Sequence, residues 1–96
     1  MESPTWCPGL HLPPEQPGCV RLEWLPETRR TAHVRVVRHT CGDCQAVTYE
    51  LCVAGGLMFI RRTDRTKRTP QVHETERLIT CRARAMWRDL LLGFAR

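Results

Sequence analysis

Apolar and polar side chains alternate strictly along residues 46–53, and this is the sharpest pattern in the chain. Val47, Tyr49, Leu51 and Val53 fall on one parity, with Ala46, Thr48, Glu50 and Cys52 on the other. A period of two is the signature of a strand with two unlike faces. Ala54-Gly55-Gly56 follows. Glycine reaches positive φ without steric cost, so this run predicts a hairpin, with residues 57–63 returning as the paired strand. Valine-rich residues 33–39 predict a strand before the hairpin, and residues 71–75 a short one after it. Val20, Leu22 and Trp24 alternate with Arg21 and Glu23. That predicts a short strand over 20–25, ended by Pro26.

The period changes towards the C-terminus. Ile79, Ala83, Met86, Leu90 and Phe94 recur at helical spacing, Trp87 and Leu91 widen the stripe, and Arg82, Arg84, Arg88 and Asp89 lie opposite. The spacing predicts an amphipathic helix with Thr80 as its N-cap. One helix covering a small antiparallel sheet of three to five strands is an α+β fold. A chain of 96 residues holds one such domain. Six of the seven prolines lie in residues 1–26. Residues 1–19 therefore read as a loose Pro-rich segment and residues 20–96 as the domain.

Charge narrows the class of partner. The net charge is +5, and residues 33–96 alone carry +6. Arg61, Arg62, Arg65, Lys67 and Arg68 form the densest run, opposed only by Asp64. At the end of a hairpin they would form a basic finger able to contact phosphates, which makes nucleic acid or an acidic protein the expected partner. Phe59 and Trp87 would stack on bases if exposed, although such rings are more often core. The helix stripe, if partly exposed, would instead complete another chain's core or that of a second copy in a homodimer. No apolar run approaches the roughly 18–20 residues of a membrane span, and no basic-then-apolar leader opens the sequence. The expected setting is a reducing cytoplasm without membrane contact. There, six cysteines point to metal, redox chemistry or burial rather than to a disulfide framework.

The candidate chemistry centres on Cys41-Gly42-Asp43-Cys44, a turn between two predicted strands. Two thiols three positions apart can clamp a metal ion, preferably zinc, or form a redox dithiol. His39 and Cys81 are the candidates to complete a metal site: His39 stands two residues before Cys41, and Cys81 near the predicted helix start. Cys19, Cys52 and His73 are further donors. On a straight strand Cys52 would lie about 25 Å from Cys44, at about 3.3 Å per residue. The strand–CxxC–strand arrangement resembles one knuckle of a zinc ribbon over residues 36–53, without the second knuckle of that family. Cys19, Cys41, Cys44 and Cys52, followed by Gly55-Gly56, also resemble the four-cysteine iron–sulfur arrangement of WhiB-like regulators. The last cysteine gap here is seven residues against that family's usual five, and the segment reads as strand where the family is helical. The block HTCGDCQAVTYELCVAGGLMFIRRTDR is similar to small, uncharacterised actinobacterial proteins, which implies a bacterial protein and no particular activity.

A thioredoxin-like redox reading needs CxxC at a helix start, where the dipole lowers the thiol pKa, and residues 45–49 favour a strand. Enzyme constellations are missing from the sequence. Ser3 is the only serine, and no GxGxxG, Walker A or HExxH pattern occurs. The sequence thus leans away from an enzyme. Its expectation is a small basic binding protein built on a zinc-knuckle-like turn.

Overall fold

The computed structural model describes residues 9–27 and 33–96. Their backbone forms five strands and one helix: β1 (Leu25–Pro26), β2 (Arg35–His39), β3 (Val47–Ala54), β4 (Leu57–Asp64), β5 (Gln71–Glu74) and α1 (Thr80–Leu91). The strands make one sheet in the order β1-β5-β4-β3-β2, and every neighbouring pair is antiparallel. The α+β layout expected from the two periodicities is the layout observed.

The β3–β4 hairpin organises the sheet. Ala54 pairs with Leu57, and the two residues between them, Gly55 and Gly56, have φ of 61° and 82°. Two successive positive φ values are what a two-residue hairpin turn of matching twist requires. From this turn the register runs back without a break to Val47 opposite Asp64. The hairpin's own turn therefore marks one end of the sheet. The cysteine-bearing turn before β3 and the basic loop after β4 share the other.

Helix α1 packs on one face of this hairpin. Tyr49, Leu51, Met58 and Ile60 from the sheet meet Ala83, Trp87 and Leu90 from the helix, all buried. The opposite face carries a smaller buried group of Cys52, Ala54 and Phe59, with the Arg77 guanidinium 4.5 Å from the Phe59 ring centroid. The alternation read in residues 46–53 thus separates two distinct clusters.

Both helix ends differ from the sequence expectation. Ile79, extended at φ −64° and ψ 156°, is the N-cap, and Thr80 is already helical. Leu78 and Met58 exchange backbone hydrogen bonds of 2.8 and 2.9 Å. That pairing holds the chain extended up to Ile79 and fixes where the helix can begin. At the C-terminus, Phe94 N–H donates to Asp89 O at 2.8 Å and Gly93 N–H to Leu90 O at 3.2 Å, with Gly93 at φ 84°. This is a Schellman ending. It stops the helix before Phe94, which is 49% exposed.

The strand expected over 20–25 is reduced to Leu25–Pro26, because β5 has only four residues and offers β1 two of them. Val20 pairs instead with the chain after the helix. Its N–H donates to Phe94 O, and Arg96 N–H donates to Val20 O. Residues 9–19 hold no strand or helix, as their prolines dictate, yet they are fastened to the domain. Gln16 N–H donates to Gly93 O at 2.8 Å, Cys41 N–H donates to Leu10 O at 2.8 Å, and the Arg96 guanidinium donates to Pro13 O. Among the described residues, no helix is long and apolar enough to cross a membrane.

Candidate metal centre

The β2–β3 ladder continues one residue past β2 before the cysteine turn begins. Thr40 N–H donates to Tyr49 O at 2.9 Å, and Tyr49 N–H donates to Thr40 Oγ1 at 3.0 Å. Thr40 is 2% exposed, so the turn starts from a rigid, buried anchor. Cys41 comes next and is itself buried, while Gly42, Asp43 and Cys44 are exposed. The two sulfurs are thereby presented at the sheet end, one half sunk in the fold and one at the surface.

The N-terminal segment crosses this turn. The Cys41–Leu10 backbone bond pins it, and Gly9 lies directly on the Cys41 side chain. A Cβ built on Gly9 would stand 2.8 Å from Cys41 Cβ and 3.2 Å from its Sγ. Glycine is what permits so close an approach. One residue past Leu10, His11 brings its ring to the thiols. The donor atoms of His11, Cys41 and Cys44 all lie within 4.8 Å of one another. Donors about 2.3 Å from a tetrahedral ion stand about 3.8 Å apart, so a modest contraction would bring the three onto one ion.

Local electrostatics prepare Cys41 for this. The backbone amide of Cys44 and then the His11 ring, with smaller help from the Asp43 amide and the Cys44 thiol, bring its thiol down to about 6, against burial, which raises it. Hydrogen bonds to the sulfur favour its charged form. A thiol that ionises below neutral pH offers a metal a ready thiolate. The three residues can therefore hold a metal ion.

The sequence candidates distribute differently. Cys41 and Cys44 are in the cluster; His39 and Cys81 are not. Cys81 is exposed in the first turn of α1. That turn follows the Leu78–Met58 pairing, and Met58 is two residues from the Gly55-Gly56 turn. Cys81 is thus placed near the far end of the sheet. His39 ends β2 with its Nδ1 3.1 Å from Thr40 O and lines a neighbouring cleft of about 180 Å3 with Gly42, Thr48, Glu50 and Arg65. The four-cysteine iron–sulfur arrangement does not gather either. Cys52 is fully buried in β3 beside Ala54 and Phe59, and Cys19 is absent from the cluster. His11 escaped the sequence reading because Pro- and Gly-rich composition marks its segment as loose. The available signal was its place four residues after Cys7.

The basic run is also divided by the fold. The Arg61 Nε–H donates to Glu50 Oε1 at 2.8 Å, and Arg62 stacks 4.6 Å from the Trp24 ring centroid. Trp24 in turn lies 5.9 Å from Tyr49. Arg65, Lys67 and Arg68 are exposed. Arg65 returns to the cysteine turn: its N–H donates to Ala46 O at 2.9 Å and its Nη1 to Thr48 Oγ1 at 3.1 Å. Phe59 is fully buried and Trp87 is 6% exposed, so neither ring presents a face to a base. Comparison with family models, curated proteins and solved structures gave no match for the chain.

Proposed function

We propose that the chain is a small binding protein stabilised by one zinc ion at His11, Cys41 and Cys44, which presents a basic loop beside that ion to a phosphate-bearing partner. The observation that carries this reading is the convergence of an imidazole and two thiols from two separate segments. Mixed nitrogen and sulfur donors suit zinc, which has no redox chemistry and accepts tetrahedral sites of this kind. In a domain of this size the ion would supply cohesion that a small core provides only sparingly. Elemental analysis of freshly purified protein should find one zinc per chain. Iron in its place, or no metal at all, would reject the reading.

Nucleic acid is the partner class best suited to the loop. Arg65, Lys67 and Arg68 are exposed at the same end of the sheet as the donors, with the Arg65 guanidinium held to Thr48 and without the ion pair and ring stacking that hold Arg61 and Arg62. Binding to single-stranded or duplex DNA should fall steeply with salt, with a log–log slope of about −0.7 to −0.9 for each phosphate neutralised. Lys67→Ala with Arg68→Ala should lower that slope by about 1–2. No binding at low salt removes nucleic acid.

A second reading, a protein–protein module, draws on a different surface. Val20, Leu22, Leu78, Ala85, Met86 and Ala95 line a largely apolar groove of about 350 Å3, and Val20 is 61% exposed. A homodimer in light scattering with Val20→Glu restoring the monomer supports it, and a monomer at all concentrations counts against self-association.

A further inference from the structure

We propose that the cavity between the N-terminal segment and β3 seats one unpaired nucleobase, adenine above the others, so that the partner is a single strand rather than a duplex. This deepens the nucleic-acid reading above and rests on it. The cavity has a volume of about 380 Å3. That is room enough for a planar heterocycle with some of its sugar, at the lower end of small-molecule sites. Val47 and Tyr49 line it from one face of β3, and Leu12, Pro13 and Pro14 line it from the N-terminal segment. Leu12 follows His11, so the stretch that carries a metal donor also supplies one wall.

The polar lining is Gln45 and Arg96. Gln45 Oε1 is buried and has no hydrogen-bond partner among the described residues. Buried acceptors are seldom left so, and a ligand N–H would satisfy this one. A glutamine carboxamide offers an acceptor and a donor side by side, the edge that matches N6 and N7 of adenine. The Arg96 guanidinium is committed to the carbonyls of Leu90, Ala95 and Pro13, so it closes the cavity rather than offering a free fork to an anion. Burial pushes the Tyr49 phenol up and keeps it a neutral hydroxyl. Apolar walls with a neutral hydrogen-bonding edge suit a base and not a phosphate.

The phosphates are met next door. Ala46, one residue past Gln45, accepts the Arg65 N–H at 2.9 Å, and Val47 stands opposite Asp64. The basic loop thus leaves the sheet beside residues that line the cavity, with Arg65, Lys67 and Arg68 exposed. A base in the cavity would leave its flanking phosphates at this loop. Duplex DNA hides the Gln45-reading edge within the stack and must give up pairing to present it, whereas a single strand presents it freely.

Fluorescence anisotropy with short strands at low salt tests this. Oligo(dA) should bind the unaltered chain at least about tenfold tighter than an abasic strand of equal length, and tighter than oligo(dT) or a duplex. Gln45→Leu keeps the bulk of the side chain and removes its hydrogen-bonding edge. It should erase the adenine preference and leave the salt slope unchanged, and Lys67→Ala with Arg68→Ala should do the reverse. Free adenosine, without phosphates, should bind more weakly than oligo(dA); equal or tighter binding would make the cavity a nucleoside pocket and overturn the strand assignment. Equal affinity for oligo(dA) and the abasic strand, or an adenine preference that survives Gln45→Leu, would overturn the base seat while leaving the basic loop standing. The comparison of strands needs no variant and holds whatever Gln45→Leu does to folding. A chain that binds none of the strands would overturn the nucleic-acid reading as well.

Discussion

Replacing both turn cysteines, Cys41→Ser with Cys44→Ser, should abolish metal binding and lower the stability of the domain by about 4 kcal/mol or more. That figure corresponds to an ion held at about a thousandfold above its dissociation constant. Domains have only about 5–15 kcal/mol in total. For a chain of this length the melting midpoint should fall by at least about 15 °C. The loss comes from a specific place. Without the ion, the N-terminal segment is held to the turn by the Cys41–Leu10 backbone bond and the Gly9 contact. Its anchors at Gly93 and Arg96 lie further along. Chelation of the unaltered protein should reproduce the effect, and chelator should leave the double variant unmoved. If the unaltered chain melts at the same temperature with and without chelator, and the double variant melts beside it, no ion supports this fold.

Trp87→Ala should cost about 3–5 kcal/mol, the range for truncating a buried aromatic side chain. Trp87 is 6% exposed and packs with Tyr49, Leu51, Met58, Ile60, Ala83 and Leu90, so its loss opens the joint between helix and sheet. Phe94→Ala is the matched comparison. By spacing alone Phe94 belongs to the same stripe; in the fold it follows the helix and is half exposed. Its truncation should cost less than about 1 kcal/mol, as exposed substitutions do. Urea titrations of the two variants give the comparison directly. Equal losses would mean that the helix continues through residue 94 and that Gly93 does not end it.

That contrast shows where the sequence was legible. Strands β3 and β4 and their turn could be read almost to the residue, because a period of two and a Gly-Gly pair are local signals that burial on both faces reinforces. The existence of α1 was equally legible, but its ends were not. Thr80 has the side chain of an N-cap, yet the Leu78–Met58 pairing places the cap one residue earlier, at Ile79. The run of Arg and Lys was visible, while its division was not. Arg61 meets Glu50 across the hairpin and Arg62 stacks on Trp24, contacts that depend on register and on a residue 38 positions away. The metal candidates divided in the same way. Cys41 and Cys44 are neighbours in sequence and were found. His11 is 30 residues from Cys41 and was not.

The sequence by itself determined the α+β class, the hairpin, the helix and the paired thiols, since each follows from spacings of a few residues and from backbone rules that act over one turn. Only the tertiary structure decided which histidine joins those thiols, which end of the sheet carries both donors and basic loop, and which cations remain at the surface. The physical reason is the path of the N-terminal segment. Its prolines forbid a helix or an interior strand and so erase any periodic signal. The segment is placed instead by isolated hydrogen bonds, at Cys41, Gly93 and Arg96, whose partners lie tens of residues away along the chain.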